Sequence, residues 1–168
     1  NLVEEFVKKN SLKNVILVKQ QNGGKARALN NGIRNYAQGD LIMPLDADSM
    51  IAKDAISNAA KYFNDSKVAA IAANVRIMKS NKFLGVIQYL EYLLGHRIKR
   101  AFSVINNEYI IGGTGSTFRK SILEKVNYYD TDTITEDIDL TMKILRLGNK
   151  KNKVLLASDV ICFTEPVM

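Results

Sequence analysis

Apolar positions along this chain fall into short blocks whose period changes from segment to segment. Leu2, Val3, Phe6 and Val7 recur at helical spacing with no start signal ahead of them, the pattern of a helix's closing part. Residues 15–18, Val-Ile-Leu-Val, predict a strand, residues 20–24 a polar loop, and residues 26–36 a helix ending before Gly39. A second strand is expected over 41–45, a helix over 53–63 and a third strand over 68–75. That alternation predicts an α/β domain, a mostly parallel sheet with right-handed crossovers and flanking helices. From 83 to 105 the period becomes that of one long amphipathic helix, with Phe83, Ile87, Leu90, Leu94, Ile98, Ala101 and Ile105 on one stripe. A glycine-dense turn from Ile110 leads into a short strand ending near Arg119. Residues 133–147, with Gly148 behind them, predict a helix in which Thr133 and Glu136 have capping-box spacing. Two short strands, 154–157 and 160–163, close the pattern before Pro166.

With 168 residues and 46% hydrophobic content, the chain has the size and core of one domain. A net charge of +7 points to anionic partners without choosing among nucleic acid, acidic lipid and phosphates of a nucleotide. One cysteine, Cys162, excludes an internal disulfide, and with a single histidine, His96, it cannot build a usual zinc site. A bound metal would therefore sit on oxygen. No apolar run reaches the roughly 20 residues needed to span a bilayer.

Within the pattern, one stretch changes the picture. The apolar run 41–45 ends in Asp46 and Asp48 with only Ala47 between them, at the carboxyl end of an expected strand, where open α/β sheets keep their ligands. Two such acids suit a hard divalent cation, Mg²⁺ or Mn²⁺, that completes its shell with water and phosphate. An acidic surface turn is the plainer alternative. A second cluster, Glu136, Asp137 and Asp139, lies in the first turn of a helix, where the dipole favours acids whatever they do. Two carboxylate groups in different environments are also how acid/base chemistry divides its work. The helix over 83–105 allows two readings: a core-facing stripe with a solvated basic side at Arg97, Lys99 and Arg100, or a basic amphipathic helix lying on an anionic membrane surface. Lys25 reads equally as a solvated loop lysine or a phosphate ligand.

In this order, residues 24–30 (Gly-Lys-Ala-Arg-Ala-Leu-Asn), Asp46-Ala47-Asp48, residues 113–119 and Thr135-Glu136-Asp137 resemble the family 2 inverting glycosyltransferases. The likeness is to the membrane-embedded synthases of β-linked polysaccharides: poly-N-acetylglucosamine, hyaluronan, chitin and cellulose. It implies a GT-A-like (Rossmann-like) domain, incomplete at its N-terminus, since the opening strands that hold the base in such domains have no counterpart here. The family's Gln-X-X-Arg-Trp segment is missing too, as the chain has no Trp. The chain is accordingly expected to be a single partial catalytic domain, a middle piece of a longer membrane protein.

The resemblance further implies a UDP-sugar donor, N-acetylglucosamine favoured, and a glycan acceptor. Asp48 with Asp46 would hold Mg²⁺ or Mn²⁺ across the diphosphate and Lys25 would neighbour the phosphates. Asp137 would be the general base, oriented by Glu136, and Gly113, Thr114, Gly115 and Ser116 would line the acceptor cleft. The membrane would be reached through flanking segments and, on one reading, the helix over 83–105, with catalysis at the cytoplasmic face. No nucleic-acid partner is implied. Two other readings remain open. One is a basic α/β module that binds nucleotide or membrane without turnover. The other is an aspartate-nucleophile phosphatase, although Met50 stands where those enzymes carry Thr or Val and a strand precedes the acids.

Overall fold

A computed structural model describes residues 2–79, 82–104, 111–148 and 152–166; the expectations at Ile105 and Ile110 fall outside them. The elements in chain order are α1 (Leu2–Lys9), α2 (Lys25–Asn35), β1 (Leu41–Ile42), β2 (Ser49–Ile51), α3 (Ala55–Tyr62), β3 (Val68–Ile77), α4 (Phe83–Val104), β4 (Thr117–Arg119), α5 (Lys120–Lys125), α6 (Glu136–Arg146) and β5 (Lys153–Thr164). They build one five-stranded sheet in the order β1-β4-β3-β5-β2.

The core is organised on β3, whose residues from Val68 to Asn74 are all buried. Continuous burial in place of alternation means both faces are covered. On one face Ile33 of α2, Ile122 and Leu123 of α5, and Leu140 and Ile144 of α6 pack around Ala70, Ala72 and Phe118. On the other, Ala55, Ala59 and Phe63 meet Ile71, Val160 and Cys162. Helices thus flank the sheet as expected.

The expected mostly parallel sheet becomes a mixed one. β3 and β5 pair in parallel, but β4 is antiparallel to both β1 and β3, and β2 is antiparallel to β5. β1 and β3 run the same way, which is the part that the alternation of elements foretells, and β5 runs with them. β2 and β4 are three residues each, too short to carry a period. β2 has a consequence for the acids: the chain reverses directly after Asp48, with the Ser49 N–H donating to the Asp46 carbonyl at 3.1 Å.

Other expectations are corrected. Residues 15–18 form no strand; Ile16 is 58% exposed, and no ladder partner lies beside the run among the described residues. Strand formation needs such a partner, and local pattern does not supply it. The two closing strands are one, β5, whose register against β3 jumps from Ala73↔Ala157 to Asn74↔Ile161. The extra residues 158–160 bulge, and Asn74 Nδ2 fills the gap by donating to the Ser158 carbonyl at 3.0 Å. Arg119, in the segment that carries the family likeness, is a latch: its guanidinium donates to the carbonyls of Val68 at 2.7 Å and Phe63 at 2.6 Å.

The core-facing reading of α4 is also corrected. Phe83, Leu90, Leu94 and Ile98 of its apolar stripe are exposed by 79, 49, 60 and 57%. Gly85 is buried and Gln88, Gly95, His96 and Lys99 are half-buried, on the side that packs on β3 and β5. The helix therefore turns small and polar residues inward and its apolar stripe outward. Among the described residues, no helix is long and apolar enough to cross a membrane.

Candidate active site

Four segments meet at one end of the sheet. Gly24 adopts φ 90°, open to glycine, so that α2 begins abruptly at Lys25. The Lys25 ammonium lies 3.0 Å from Asp46 Oδ1, 3.4 Å from Glu136 Oε1 and 4.0 Å from Asp137 Oδ2. The turn carrying Asp46 is tied to the glycine turn by two bonds: the Asp46 N–H donates to Thr114 Oγ1 at 3.1 Å, and the Gly115 N–H donates to the Pro44 carbonyl at 2.8 Å.

Glu136 and Asp137 open α6, as expected, but Thr135 is the N-cap and the capping box from Thr133 does not form. Thr133 Oγ1 instead accepts from the Thr135 N–H at 3.2 Å, and the Glu136 carboxylate reaches Lys25. Thr141 Oγ1 donates to the Asp137 carbonyl at 2.7 Å and accepts from the Ile111 N–H at 3.1 Å, which clamps α6 to the start of the glycine turn.

Electrostatically, three carboxylates share one ammonium. Partial burial alone would depress Lys25, but the Asp46 hydrogen bond, the charges of Asp137 and Asp46, and the Glu136 hydrogen bond outweigh it and hold the ammonium above its ordinary range. Burial raises the Asp137 carboxyl; Lys25 opposes this, while Glu136 and Asp46 add to it. A carboxylate with raised proton affinity beside a cleft has the character of a general base.

Gly113 lies against this pair: a methyl group there would run into the Asp137 carboxylate and come within 3.2 Å of Lys25 Nζ. The absent side chain keeps the approach to Asp137 open. Gly113 and Thr114 line a groove of about 490 Å³ together with Asp46, Tyr92, His96 and Thr164. Gly115 and Ser116, expected to line the same cleft, are buried beneath it. Gly115 has φ 71° and packs on Cys162 and Ala73, and the Ser116 hydroxyl donates to the Gly112 carbonyl. Their work is to shape the turn.

Asp139 stands apart, as the 100° step of a helix requires. It faces Asp130, whose hydrogen bond raises the Asp139 carboxyl, and Lys143 lies 2.8 Å from Asp130. Asp48 is also outside the cluster: it is exposed, and its Oδ1 accepts from Ser49 Oγ at 3.2 Å. Among the described residues, no three side chains of ligating type converge on a cation position. Asp46 and Asp48 still offer hard oxygens suited to Mg²⁺ or Mn²⁺, and Asp46 already holds a cationic group at 3.0 Å. A divalent ion here would draw most of its shell from phosphate and water.

Sequence reasoning missed Tyr129. Its side chain is buried and its hydroxyl has no hydrogen-bond partner among the described residues. Burial raises the phenol well above its ordinary range, and Asp137, Glu136 and Asp46 raise it further, so it remains an O–H donor. Asn30 fixes it in place, donating to the Tyr129 carbonyl at 2.8 Å and accepting from the Tyr129 N–H at 3.0 Å. The only signal in the sequence was an aromatic just before the acidic cluster.

Comparison with known proteins gives the family and the fold. The model of "Glycosyltransferase like family 2" matches residues 1–166. Poly-beta-1,6-N-acetyl-D-glucosamine synthase of Staphylococcus aureus (strain COL) is 41% identical over 128 residues, 74% of this chain and 31% of that protein. The synthase of the same name from Staphylococcus epidermidis is 40% identical over 146 residues, 85% of this chain and 34% of that protein. The chain thus spans about a third of the length of these curated relatives. Among solved structures, mannosyltransferase PcManGT from Pyrobaculum calidifontis, in complex with GDP-Man and Mn²⁺, superposes with a TM-score of 0.68 at 22% identity, covering 96% of this chain and 42% of that one. S. aureus TarS in complex with UDP-GlcNAc gives 0.65 at 16% identity, covering 100% of this chain and 47% of that one. The α/β fold is that of GT-A glycosyltransferases. This chain belongs to the glycosyltransferase like family 2.

Proposed function

We propose that this chain is the central part of a catalytic domain that transfers N-acetylglucosamine from UDP-GlcNAc to a hydroxyl of a glycan acceptor, with inversion, forming a β-linked polysaccharide. The observation that carries the reading is the convergence of Asp46, Glu136 and Asp137 on Lys25 beside Gly113, in a chain 41% identical to a poly-N-acetylglucosamine synthase. The phosphatase reading loses its support, because the family is one of glycosyltransferases.

The diphosphate of the donor lies against Lys25, whose ammonium stabilises the negative charge that grows as the anomeric carbon–oxygen bond breaks. A divalent cation held by Asp46 and Asp48 supplies further stabilisation of that leaving group when bound. Asp137 takes the proton of the acceptor hydroxyl, whose oxygen forms the new bond to the anomeric carbon from the face opposite the departing UDP. One displacement inverts that centre. Glu136, at 3.4 Å from Lys25, fixes the ammonium between donor and base. Gly113 leaves the space through which the acceptor reaches Asp137.

The outward apolar stripe of α4 supports contact with the cytoplasmic face of a membrane, since exposed apolar surface beside cations beds at the headgroup boundary. The test of the transfer reading is the product. UDP-GlcNAc, whose sugar is α-linked, is incubated with the full-length protein, Mn²⁺ and a short glucosamine oligomer, and the new linkage is read by NMR. A β linkage is expected; an α linkage, or free sugar with no linkage, overturns the reading.

A further inference from the structure

Beside the groove lined by Asp46, Gly113 and Thr114, and continuous with it through Val75, Tyr92 and His96, lies a second cavity of about 630 Å³ between β3 and α4. Its wall carries Arg76 from β3 and Tyr89, Tyr92, His96, Arg97 and Arg100 from α4. Among the described residues, no carboxylate is within ion-pair distance of Arg76, Arg97 or Arg100, whereas Lys25, Lys143 and Lys153 are each paired. Burial and then the positive charges of Arg76, Arg100 and Lys99 press His96 below its ordinary range. The cavity is thus an uncompensated positive site.

Arginines gathered on a concave wall suit a phosphate, which their forks bind in bidentate fashion and which neutralises their mutual repulsion. The surroundings favour one source for that phosphate. One helical face away, Leu90, Leu94 and Ile98 stand exposed, so the apolar stripe and the cationic cavity occupy adjoining sides of α4. A helix bedded in a bilayer by such a stripe holds its flanking cations at headgroup depth.

We propose that the cavity between β3 and α4 is a phosphate site for the headgroup of an anionic phospholipid, with Arg76, Arg97 and Arg100 as its ligands. The site rests on the membrane contact read for α4, not on the transfer chemistry. The chain is titrated with phosphatidylcholine vesicles with and without phosphatidylglycerol, in EDTA, with soluble pyrophosphate as competitor. Preference for anionic vesicles is expected. Arg76→Gln with Arg100→Gln, both exposed and so compatible with folding, should weaken binding about 30-fold, while Lys8→Gln with Lys9→Gln, an equal loss of charge elsewhere, should weaken it less than about threefold. Arg97→Gln alone should give about fivefold. Equal binding to both vesicle types would leave the membrane contact standing and overturn the headgroup site. Equal weakening by the two double variants, or arginine-dependent pyrophosphate binding without vesicle binding, overturns it as well.

Discussion

Replacing Lys25 by Met tests the centre of the proposed chemistry, because it keeps the length of the side chain and removes the one cation shared by Asp46, Glu136 and Asp137. Two separate effects follow. The first is on the leaving group: loss of one preorganised charge-stabilising group in a closed site lowers turnover by about 10² to 10³. Lys25 is 42% exposed, so solvent screens part of its field and the lower figure, about 10², is the expected one. The second effect is on the base. Lys25 is the influence that opposes burial at Asp137, so its removal raises the Asp137 proton affinity further. Asp137 acts only when deprotonated, and activity is lost as pH falls through its pKa. The acid limb of the rate profile should therefore move to higher pH in Lys25→Met. The assay is UDP release from UDP-GlcNAc across pH, with UDP affinity measured alongside. A variant with wild-type turnover and an unmoved acid limb would refute the placement of Lys25 between donor and base. A loss of turnover without any movement of that limb would refute its coupling to Asp137.

Three further outcomes follow from the same geometry. Asp137→Asn should leave UDP binding nearly intact and lower transfer by roughly two to four orders of magnitude, while Asp139→Asn, which faces Asp130, should stay within about threefold; the reverse pattern in a transfer assay would mean the base is misassigned. Asp48→Ala should abolish the Mn²⁺-dependent part of UDP affinity in calorimetry, since an exposed carboxylate whose one partner among the described residues is Ser49 has no structural work to lose; unchanged affinity would remove Asp48 from the metal site. Gly115→Ala should destabilise the fold by about 2–4 kcal/mol, combining left-handed backbone strain with overlap on Cys162, and an unchanged melting temperature would refute that packing.

The sequence by itself determined the longer helices, though not the six-residue α5, and the chemistry carried by neighbours in the chain. The periods over 26–36, 53–63 and 133–147 emerge as α2, α3 and α6 because a helix of two or more turns is specified by local spacing. Glu136 and Asp137 were legible as the first turn of α6, and Asp46 as the end of an apolar run, because those relations involve residues only a few positions apart.

Tertiary structure decided what depends on distant partners. Residues 15–18 have strand composition but no ladder neighbour, while β2 and β4 are strands of three residues that exist only through β5, β3 and β1. The partners of Lys25 lie on two segments distant from it and from each other, so no local pattern could show that Asp46 and Asp137 share it while Asp48 and Asp139 do not. Gly113 and Gly115 look alike in sequence, yet one opens the approach to Asp137 and the other fits under Cys162. The apolar stripe of α4 was plain from its period, but period gives the angle between side chains, not the direction in which they face. That direction is set by how Gly85, Gln88, Gly95 and His96 settle against β3 and β5, and it decides against the core-facing reading of the two that the period allowed.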